Sequence, residues 1–383
     1  MIAISVAAAA LATWLYLLFG RGAFWLARER DDWQPPPPAV WPRVAAVVPA
    51  RNEAASVSDS IGSLVRQDYP GPLHVFLVDD NSDDGTAAVA RAAGGKHGKH
   101  GLTVVAGEPL PAGWTGKLWA VKQGIDAAEA APARPDYVLL TDADIVHDPD
   151  SVGRLAAYAE ANGLVLASLM AELRCTSLAE RAHVPGFIFF FQMLYPFGWV
   201  NGSGATAAAA GGCMLVRADA LRQAGGIASI RDALIDDCAL AARLKAHGPI
   251  WLGLTHRVRS IRPYPQLNDL RRMIARSAYA QLRYSPLLLA GTVIGMLLTY
   301  LVPPLMTLAG TGAARWLGVA AWALMALAFQ PTLRFYRLSP LWGLALPGIA
   351  LLYMLYTLDS AYQYARGRGG AWKGRVQANV PGS

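Results

Sequence analysis

Hydrophobic residues in this chain form long unbroken runs near its ends and short runs in its middle. One long run covers residues 2–19, and further long runs follow residue 286. Runs of this length are typical of helices that cross a membrane. Residues 41–285 instead alternate short apolar segments with polar ones, which is the pattern of a globular domain. The chain therefore predicts a globular domain that is attached to a membrane at both ends.

The first apolar run predicts an uncleaved membrane anchor. Arg21, Arg28 and Arg30 come after the run, whereas a secretory signal peptide carries its positive charge before it. Flanking arginines mark the cytoplasmic side of a span, so we expect the globular domain in the cytoplasm. Residues 24–26 are predicted to continue as an interfacial helix, and the prolines at 35–38 to form a stiff spacer.

The middle of the chain predicts alternating strands and helices. Short apolar runs of the kind that form strands buried on both faces cover residues 44–48, 74–78, 102–105 and 137–140. Helices are predicted between them at residues 52–67, 86–93 and 117–128. This order predicts an α/β fold built from parallel βαβ units, in which ligands bind at the carboxyl ends of the strands.

Three more apolar segments follow the globular part. Residues 287–308 and 341–358 are predicted spans, and residues 316–329 are a shorter candidate. Three crossings would place the C-terminal tail opposite the globular domain, against the positive-inside tendency. The basic residues of this tail are Arg366, Arg368, Lys373 and Arg375. One segment is therefore a candidate for a re-entrant or interfacial helix, and the number of spans stays open.

Composition agrees with a membrane protein and excludes other classes. Of the 383 residues, 54% are hydrophobic and only 16% are charged, which excludes a disordered chain. The net charge is +7, but the arginines are dispersed and the chain has no pattern of a nucleic-acid-binding module, so the expected partners are membrane lipids and not nucleic acid. The cysteines, Cys175, Cys213 and Cys238, lack a zinc spacing and are expected to be buried thiols.

Polar clusters follow the first two predicted strands directly. Residues 49–53 read Pro-Ala-Arg-Asn-Glu, and residues 79–85 read Asp-Asp-Asn-Ser-Asp-Asp-Gly. A carboxylate at the end of a strand can accept hydrogen bonds from a ribose or from a base N–H. The same residue types are common in turns and helix caps, so these clusters alone leave both interpretations open.

Two aspartate pairs carry a more specific signal. Asp142 and Asp144 follow the fourth strand two residues apart, so both carboxylates face one side in extended backbone. Such hard ligands suit Mg²⁺ or Mn²⁺, which in turn would hold a diphosphate. Asp236 and Asp237 open a predicted helix, and crowding tends to raise the pKa of one of them toward that of a general base. Solvated loop aspartates and a plain helix cap are the alternatives.

In order and spacing, these clusters resemble the motifs of family 2 inverting glycosyltransferases. The resemblance is carried by residues 49–53, 78–85, 141–144 and 235–237, and Gly116, Lys117, Gly124 and residues 211–217 agree with it. A closer resemblance is to the hopanoid (hopene)-associated glycosyltransferases, through residues 111–120, 189–196 and 276–286. It implies a GT-A fold, a Rossmann-like nucleotide-diphospho-sugar transferase domain, with N-terminal and C-terminal transmembrane helices.

The resemblance also implies roles on the donor side. Pro49, Arg51 and Glu53 would line the nucleoside pocket, and Asp80 would receive the base. Lys117 would lie near the diphosphate. Asp142 would contact the nucleotide and face the metal ion, and Asp144 would be its principal ligand.

On the acceptor side, the resemblance implies that Asp237 deprotonates the acceptor hydroxyl, with Asp236 beside it. The family usually has Glu-Asp where this chain has Asp-Asp. The arginine-tryptophan motif of many relatives is not intact here, and Arg276 is its nearest match. Arg276 is therefore an acceptor-side candidate. His256, a lone histidine, is expected to be structural.

Two segments predict contact with the membrane surface. Residues 267–285 are predicted to form one amphipathic helix, with a core helix as the alternative. Its basic side would hold Arg271, Arg272, Arg276 and Arg283, and its apolar side Leu267, Leu270, Ile274, Ala278 and Leu282. Residues 187–199 are too short to span and strongly aromatic, so we interpret them as an interfacial or acceptor-guiding segment, with plain core as the alternative.

The predicted organisation is an anchor and spacer over residues 1–40, a catalytic domain over 41–265, the interfacial helix over 266–286, transmembrane helices over 287–360 and a basic tail over 361–383. The expected activity is metal-dependent, inverting transfer of a sugar from a nucleotide-diphosphate sugar to a lipid, with a hopanoid implied by resemblance alone. The expected location is a bacterial inner membrane, crossed several times. A processive polysaccharide synthase, a nucleotidyltransferase and an inactive membrane scaffold are the alternatives.

Overall fold

The computed structural model describes residues 1–95 and 98–370, and within them one mixed sheet has eight strands. The strands are β1 Val44–Ala50, β2 Leu73–Asp79, β3 Gly101–Ala106, β4 Tyr137–Thr141, β5 Ile145–His147, β6 Leu166–Glu172, β7 Cys213–Arg217 and β8 Ile250–Ser260. Their order across the sheet is β3-β2-β1-β4-β7-β6-β8-β5. Separate apolar clusters cover the two faces of this sheet.

Helices surround the sheet and continue beyond it. They are α1 Ile2–Phe19, α2 Val57–Val65, α3 Thr86–Gly95, α4 Gly116–Glu129, α5 Ser151–Ala161, α6 Leu178–Leu194, α7 Phe197–Asn201, α8 Ala218–Gln223, α9 Asp236–Leu244, α10 Leu267–Ala275, α11 Ala278–Gln281, α12 Pro286–Met296, α13 Val302–Ala309, α14 Gly312–Phe335 and α15 Leu346–Ala365. Shorter 3₁₀ turns are Phe24–Leu26, Ile227–Ile230 and Pro340–Ala345, and a π turn, Leu297–Leu301, joins α12 to α13.

Half of the sheet is the predicted parallel unit. β1 pairs in parallel with β2 and β4, and β2 pairs in parallel with β3. β1 is buried along its whole length, as a continuous apolar run in a parallel sheet requires. Each of the four predicted strands is present, one or two residues longer than expected. The α/β prediction is confirmed for this half.

The other half of the sheet is mixed and was not predicted. β7 pairs antiparallel with both β4 and β6, β6 pairs in parallel with β8, and β8 pairs antiparallel with β5. The pairing of Tyr137 with Arg217 joins residues far apart in the chain. Short apolar runs carry no local signal for such distant partners, so the direction of these strands cannot be derived from their own sequences.

Three predicted helices need correction. The helix predicted from residue 52 begins at Val57, because Asn52 has a φ of 51° and the chain turns there before the helix. The interfacial helix predicted at 24–26 is a single 3₁₀ turn between two left-handed alanines. The predicted helix over 267–285 is two helices, because the chain leaves the helical conformation after Ala275 and α11 covers only Ala278–Gln281; Arg283, with a φ of 52°, lies beyond it.

The N-terminal segment reaches the domain before the prolines. Asp31 N donates to Leu254 O at 3.1 Å, and Leu254 N donates to Glu29 O at 2.8 Å, so the chain runs along β8. The Trp33 ring stacks on Tyr158 of α5 with centroids 4.0 Å apart. The prolines at 35–38 therefore follow the first contact between anchor and domain.

Within the described residues, four helices are long and apolar enough to cross a membrane. They are Ile2–Phe19, Pro286–Ala309, Gly312–Phe335 and Pro340–Ala365. The third is 24 residues long and exceeds the short candidate predicted at 316–329. One apolar cluster contains residues of α1, α14, α15 and the aromatic part of α6. In it, the ring centroids of Phe189 and Phe329 are 5.2 Å apart. That part of α6 is thus core between the domain and the apolar helices.

The last of these segments, residues 340–365, runs alongside α14 and then back to the domain. α14 ends at the domain, where Phe335 stacks on His256 of β8 at 4.1 Å. Gln330 Nε2 donates to Pro340 O, and Trp322 Nε1 donates to Leu344 O. The turn Pro340–Ala345 therefore runs from the domain end of α14 toward the middle of that helix.

α15 reverses this direction. Its last turns lie beside α10 and the start of α12, where Arg271 Nη1 lies 2.6 Å from Asp359 Oδ2 and the Tyr364 ring stacks on Tyr284 at 4.3 Å. Residues 340–365 thus form a hairpin whose two ends both lie on the domain side of the helices. Lys373 and Arg375 of the predicted basic tail lie outside the described residues.

Candidate active site

A cleft at the carboxyl ends of β1 and β4 brings together three of the four motifs and both of the segments that agree with them. Pro49, Lys117, Asp142, Gly211 and Asp236 all line it. β1 and β4 are parallel neighbours, so their ends meet at one edge of the sheet. Thr115 caps α4 by accepting a hydrogen bond from Leu118 N, which places Lys117 in the first turn, over this edge.

Lys117 connects two of the motifs. Its Nζ lies 3.0 Å from Asp142 Oδ1 and 3.2 Å from Asp236 Oδ2. Burial alone would lower the pKa of Lys117, but these two carboxylates raise it above its ordinary value. Lys117 is therefore a fixed cation in the cleft, held between the end of β4 and the start of α9.

Asp237 lies beside this cation and is held by backbone donors. Its Oδ2 accepts from Gly211 N at 3.0 Å, and its Oδ1 accepts from Cys238 N at 2.7 Å. Burial, and then the Asp236 carboxylate, raise the pKa of Asp237 to about 6. A carboxylate that titrates in this range is deprotonated at neutral pH and is still basic enough to accept a proton.

The close approach of Gly211 depends on the absence of a side chain. A Cβ at this position would lie 3.3 Å from Lys117 Nζ and 3.5 Å from Asp237 Oδ2. The glycine therefore leaves room between the Asp237 carboxylate and the Lys117 ammonium group.

Asp144 is held by Arg262, a residue that the sequence analysis missed. Arg262 Nε lies 2.8 Å from Asp144 Oδ2, and its Nη2 lies 2.5 Å from Glu53 Oε1. Burial alone would lower the pKa of Arg262, but the carboxylates of Asp144 and Glu53 raise it. Arg262 follows β8 and is 209 residues from Glu53 along the chain. The sequence could have indicated Arg262 only if the position of its acidic partners in the fold were already known.

The predicted nucleoside residues form one wall of linked loops. Arg51 Nη1 donates to Asp80 O at 2.5 Å and lies 3.8 Å from Asp80 Oδ2. Asn52 N donates to Ser82 Oγ at 3.0 Å, and Asn52 Oδ1 accepts from Asp83 N at 3.1 Å. The loops that follow β1 and β2 therefore hold each other in place, with Asp80 buried between them.

Near Asp237, α11 meets the residue that ends α6. Gln281 of α11 donates through Nε2 to the Tyr195 hydroxyl at 2.7 Å. Burial raises the pKa of Tyr195 to about 12, and the nearby groups of Cys238 and Asp237 add to this rise. Tyr195 therefore lies within electrostatic reach of Asp237.

Arg276 is less closely tied to the cleft. It is exposed at the end of α10, and among the hydrogen bonds and ion pairs of the described residues its side chain has none with the four aspartates. Its nearest connection is electrostatic, because Arg276 and Arg262 both act to lower the pKa of Tyr264, which burial raises to about 12.

Asp142 and Asp144 are the residues that could hold a divalent cation. Within residues 1–95 and 98–370, no cluster of three or more His, Cys, Asp or Glu side chains is arranged to hold a metal. Mg²⁺ is often bound by one or two carboxylates together with substrate phosphates, so this pair fits a metal that binds with a diphosphate. His256 instead pairs with Glu172, with Nδ1 2.9 Å from Oε2.

Comparison with known proteins gives the family context. A family model described as "Glycosyltransferase like family 2" matches residues 42–280. An N-acetylglucosaminyltransferase of Mesorhizobium japonicum is 33% identical over 156 residues, 38% of this chain and 34% of that protein. One of Rhizobium leguminosarum bv. viciae is 32% identical over 147 residues, 36% of this chain and 32% of that protein. The alignments thus span about a third of these relatives.

One solved structure is similar over nearly the whole chain. It is the mannosyltransferase PcManGT from Pyrobaculum calidifontis in complex with GDP-Man and Mn²⁺, with a TM-score of 0.57 and 22% identity. The match covers 94% of this chain and 97% of that one. It supports the GT-A fold expected from the sequence.

Proposed function

This chain belongs to glycosyltransferase family 2, and on that premise we propose that it is a membrane-bound, inverting glycosyltransferase. It would move one sugar from a nucleotide-diphosphate sugar to the hydroxyl of a lipid. One observation carries the proposal. Lys117 lies between Asp142 and Asp236, next to a carboxylate whose pKa of about 6 suits a general base.

The donor half of the site would be the cleft edge at β1, β2 and β4. Pro49, Arg51, Glu53 and Asp80 would line the nucleoside pocket. Asp144 and Asp142 would hold Mg²⁺ or Mn²⁺, which supplies positive charge to the diphosphate when bound. Lys117, already protonated in the cleft, would stabilise the negative charge of the departing diphosphate.

The chemical step would use Asp237 as the base. Asp237 takes the proton of the acceptor hydroxyl while that oxygen attacks the anomeric carbon from the face opposite the diphosphate. The new carbon–oxygen bond forms as the bond to the phosphate oxygen breaks, so the configuration is inverted. Asp236 would tune the base, because its carboxylate contributes to the raised pKa of Asp237.

The position of Asp237 supports a lipid acceptor. Tyr195 and Gln281 come from two of the three segments that carry the resemblance to hopanoid-associated enzymes. Tyr195 lies within electrostatic reach of Asp237, and Gln281 donates to Tyr195. α6, which leads to Tyr195, packs against α14 and α15. An acceptor hydroxyl would therefore approach Asp237 from the membrane side, with Arg276 near this route. A hopanoid is the proposed acceptor on the resemblance alone.

We further infer three crossings and one hairpin. α1, α12 with α13, and α14 would cross the membrane, whereas residues 340–365 would enter and leave on the domain side. Arg366 and Arg368 then lie on the same side as the catalytic domain, which agrees with the positive-inside tendency. That side would be the cytoplasmic face of a bacterial inner membrane, where nucleotide sugars are made.

The test is transfer by the purified full-length chain in lipid nanodiscs. A panel of UDP- and GDP-sugars, including an N-acetylglucosamine donor because both named relatives are N-acetylglucosaminyltransferases, is incubated with bacterial lipid extract with and without Mn²⁺. Mass spectrometry should detect a lipid that has gained one sugar, and Asp237→Asn is the matched control. Polymer products would favour a processive synthase. If no donor binds, whether Mn²⁺ is present or absent, an inactive scaffold is favoured. Lipid profiling of a deletion strain would then identify the acceptor.

A further inference from the structure

Arg262 joins two acidic motifs that lie far apart in the chain. Its Nε and Nη2 atoms contact Asp144 Oδ2 at 2.8 Å and Glu53 Oε1 at 2.5 Å. Ser260 Oγ donates to the same Asp144 oxygen at 3.1 Å. The Asp144 side chain is only 12% exposed, and that of Arg262 is 32% exposed. The guanidinium is therefore the counter-cation of a largely buried carboxylate.

A buried carboxylate requires such a partner, because an unpaired charge away from water is costly. A divalent ion bound by Asp144 would satisfy the same need. Arg262 already occupies Oδ2, and a second cation can contact that oxygen only if the guanidinium moves away or shares it. Arginine and metal therefore compete for one ligand atom.

We propose that Arg262 occupies the cation position of the donor site when no nucleotide is bound, and so weakens the binding of free divalent metal. The inference rests on the proposed function, in which Asp144 is a metal ligand. Metal that arrives with a nucleotide diphosphate displaces the guanidinium from Asp144. Metal alone lacks the phosphate ligands and competes less well.

The location of Arg262 allows it to withdraw. It lies in the short link between β8 and α10, outside both elements. The link is held two residues further on, where Tyr264 N donates to Glu180 Oε1 at 2.9 Å. The Arg262 side chain can thus change partners while the backbone on either side stays attached.

The experiment measures Mn²⁺ binding without nucleotide. The full-length chain in nanodiscs is stripped with chelator and titrated with Mn²⁺, and free Mn²⁺ is followed by electron paramagnetic resonance. We expect Arg262→Gln to bind Mn²⁺ about fivefold to tenfold more tightly than wild type, the effect of losing one charge-assisted competitor. Arg262→Lys keeps the positive charge but not the forked guanidinium group, so its Mn²⁺ affinity should lie between those of wild type and Arg262→Gln.

The matched control is Arg259→Gln. Arg259 lies in β8, three residues before Arg262, and pairs with an aspartate, Asp148, at 2.8 Å, so the control removes the same charge from a neighbouring position. It should change Mn²⁺ affinity by less than about twofold, because an exposed ion pair acts weakly over distance. Equal tightening in both variants, or none in Arg262→Gln, overturns the proposal.

A second variant separates this inference from the proposed function. In Arg262→Gln combined with Asp144→Asn, the gain in Mn²⁺ affinity should disappear. If Asp144→Asn alone leaves Mn²⁺ binding intact, the metal assignment of the proposed function is wrong. If Asp144→Asn abolishes binding while Arg262→Gln does not tighten it, only the competition fails. Thermal unfolding without metal checks that each variant is folded.

Discussion

Replacing Asp237 by asparagine should separate catalysis from donor binding. The substitution removes the proton acceptor and keeps the size of the side chain. General-base removal costs about 10²–10⁴-fold in rate, equivalent to roughly 3–5 kcal/mol of transition-state stabilisation. Donor affinity should change little, because Asp80, Asp142 and Asp144 belong to other elements, and Lys117 keeps its partners Asp142 and Asp236.

The structure also gives the sign of the effect on stability. Folding raises the pKa of Asp237 from 3.8 to about 6, so the folded state binds this proton more tightly than the unfolded state. The stability due to this group is complete below about pH 4 and is lost as the pH rises through 6. Asparagine has no charged form, so it avoids this loss at neutral pH. The asparagine amide group, however, points its N–H toward the backbone N–H of Gly211 or Cys238, which lowers the stability of the fold. The loss of this hydrogen bond therefore opposes the gain in stability from removing the charge.

The assay measures initial transfer rate and donor dissociation constant for wild type, Asp237→Asn and Asp236→Asn between about pH 5 and pH 9. In wild type, kcat should rise with pH through about 6 and then level off, since the base must be deprotonated. Asp236→Asn should shift this rise to lower pH, because the carboxylate that helps to raise the pKa of Asp237 is gone. The reasoning is refuted if Asp237→Asn keeps near-normal turnover or loses donor binding together with activity.

Other predictions test the metal, the topology and the glycine. Asp144→Asn should abolish the Mn²⁺ dependence of nucleotide-diphosphate binding, measured by calorimetry with and without chelator, and full turnover in excess chelator would contradict the assignment. Reporters fused after residues 40 and 368 should both behave as cytoplasmic and one inserted after residue 310 as external; an external reporter at 368 would exclude the hairpin topology. Gly211→Ala should lower kcat by at least about tenfold while the melting temperature changes little, because the new methyl lies 3.3 Å from Lys117 Nζ and 3.5 Å from Asp237 Oδ2. Unchanged kinetics would show that the space beside Gly211 is not used.

The sequence predicted the parallel half of the fold and the polar edge of the sheet well, because both depend on local signals. Buried strands such as Val44–Ala50 appear as continuous apolar runs, and the motif residues follow them directly. The antiparallel strands were missed, since β7 and β8 find partners that are distant in the chain.

Side-chain partners were the least predictable part of the site. Arg262 carries no motif, and its contact with Asp144 exists only because the end of β8 pairs with β5, which begins directly after Asp144. The bend after Ala275 was also hidden, because the amphipathic pattern of residues 267–285 continues through it. Periodicity gives the faces of a helix and not the place where the chain must turn toward the next element.

The proposed hairpin of residues 340–365 would simplify membrane insertion. If this segment crossed the membrane instead, Arg366 and Arg368 would have to pass through the apolar layer at about 2.5–3.5 kcal/mol each. A hairpin with both ends on one side needs no such passage. It can partition into the bilayer late, after α14, and dock by forming the Arg271–Asp359 ion pair. α15 packs on α6 and α10, so a chain cut before residue 340 would lack this part of the proposed acceptor side.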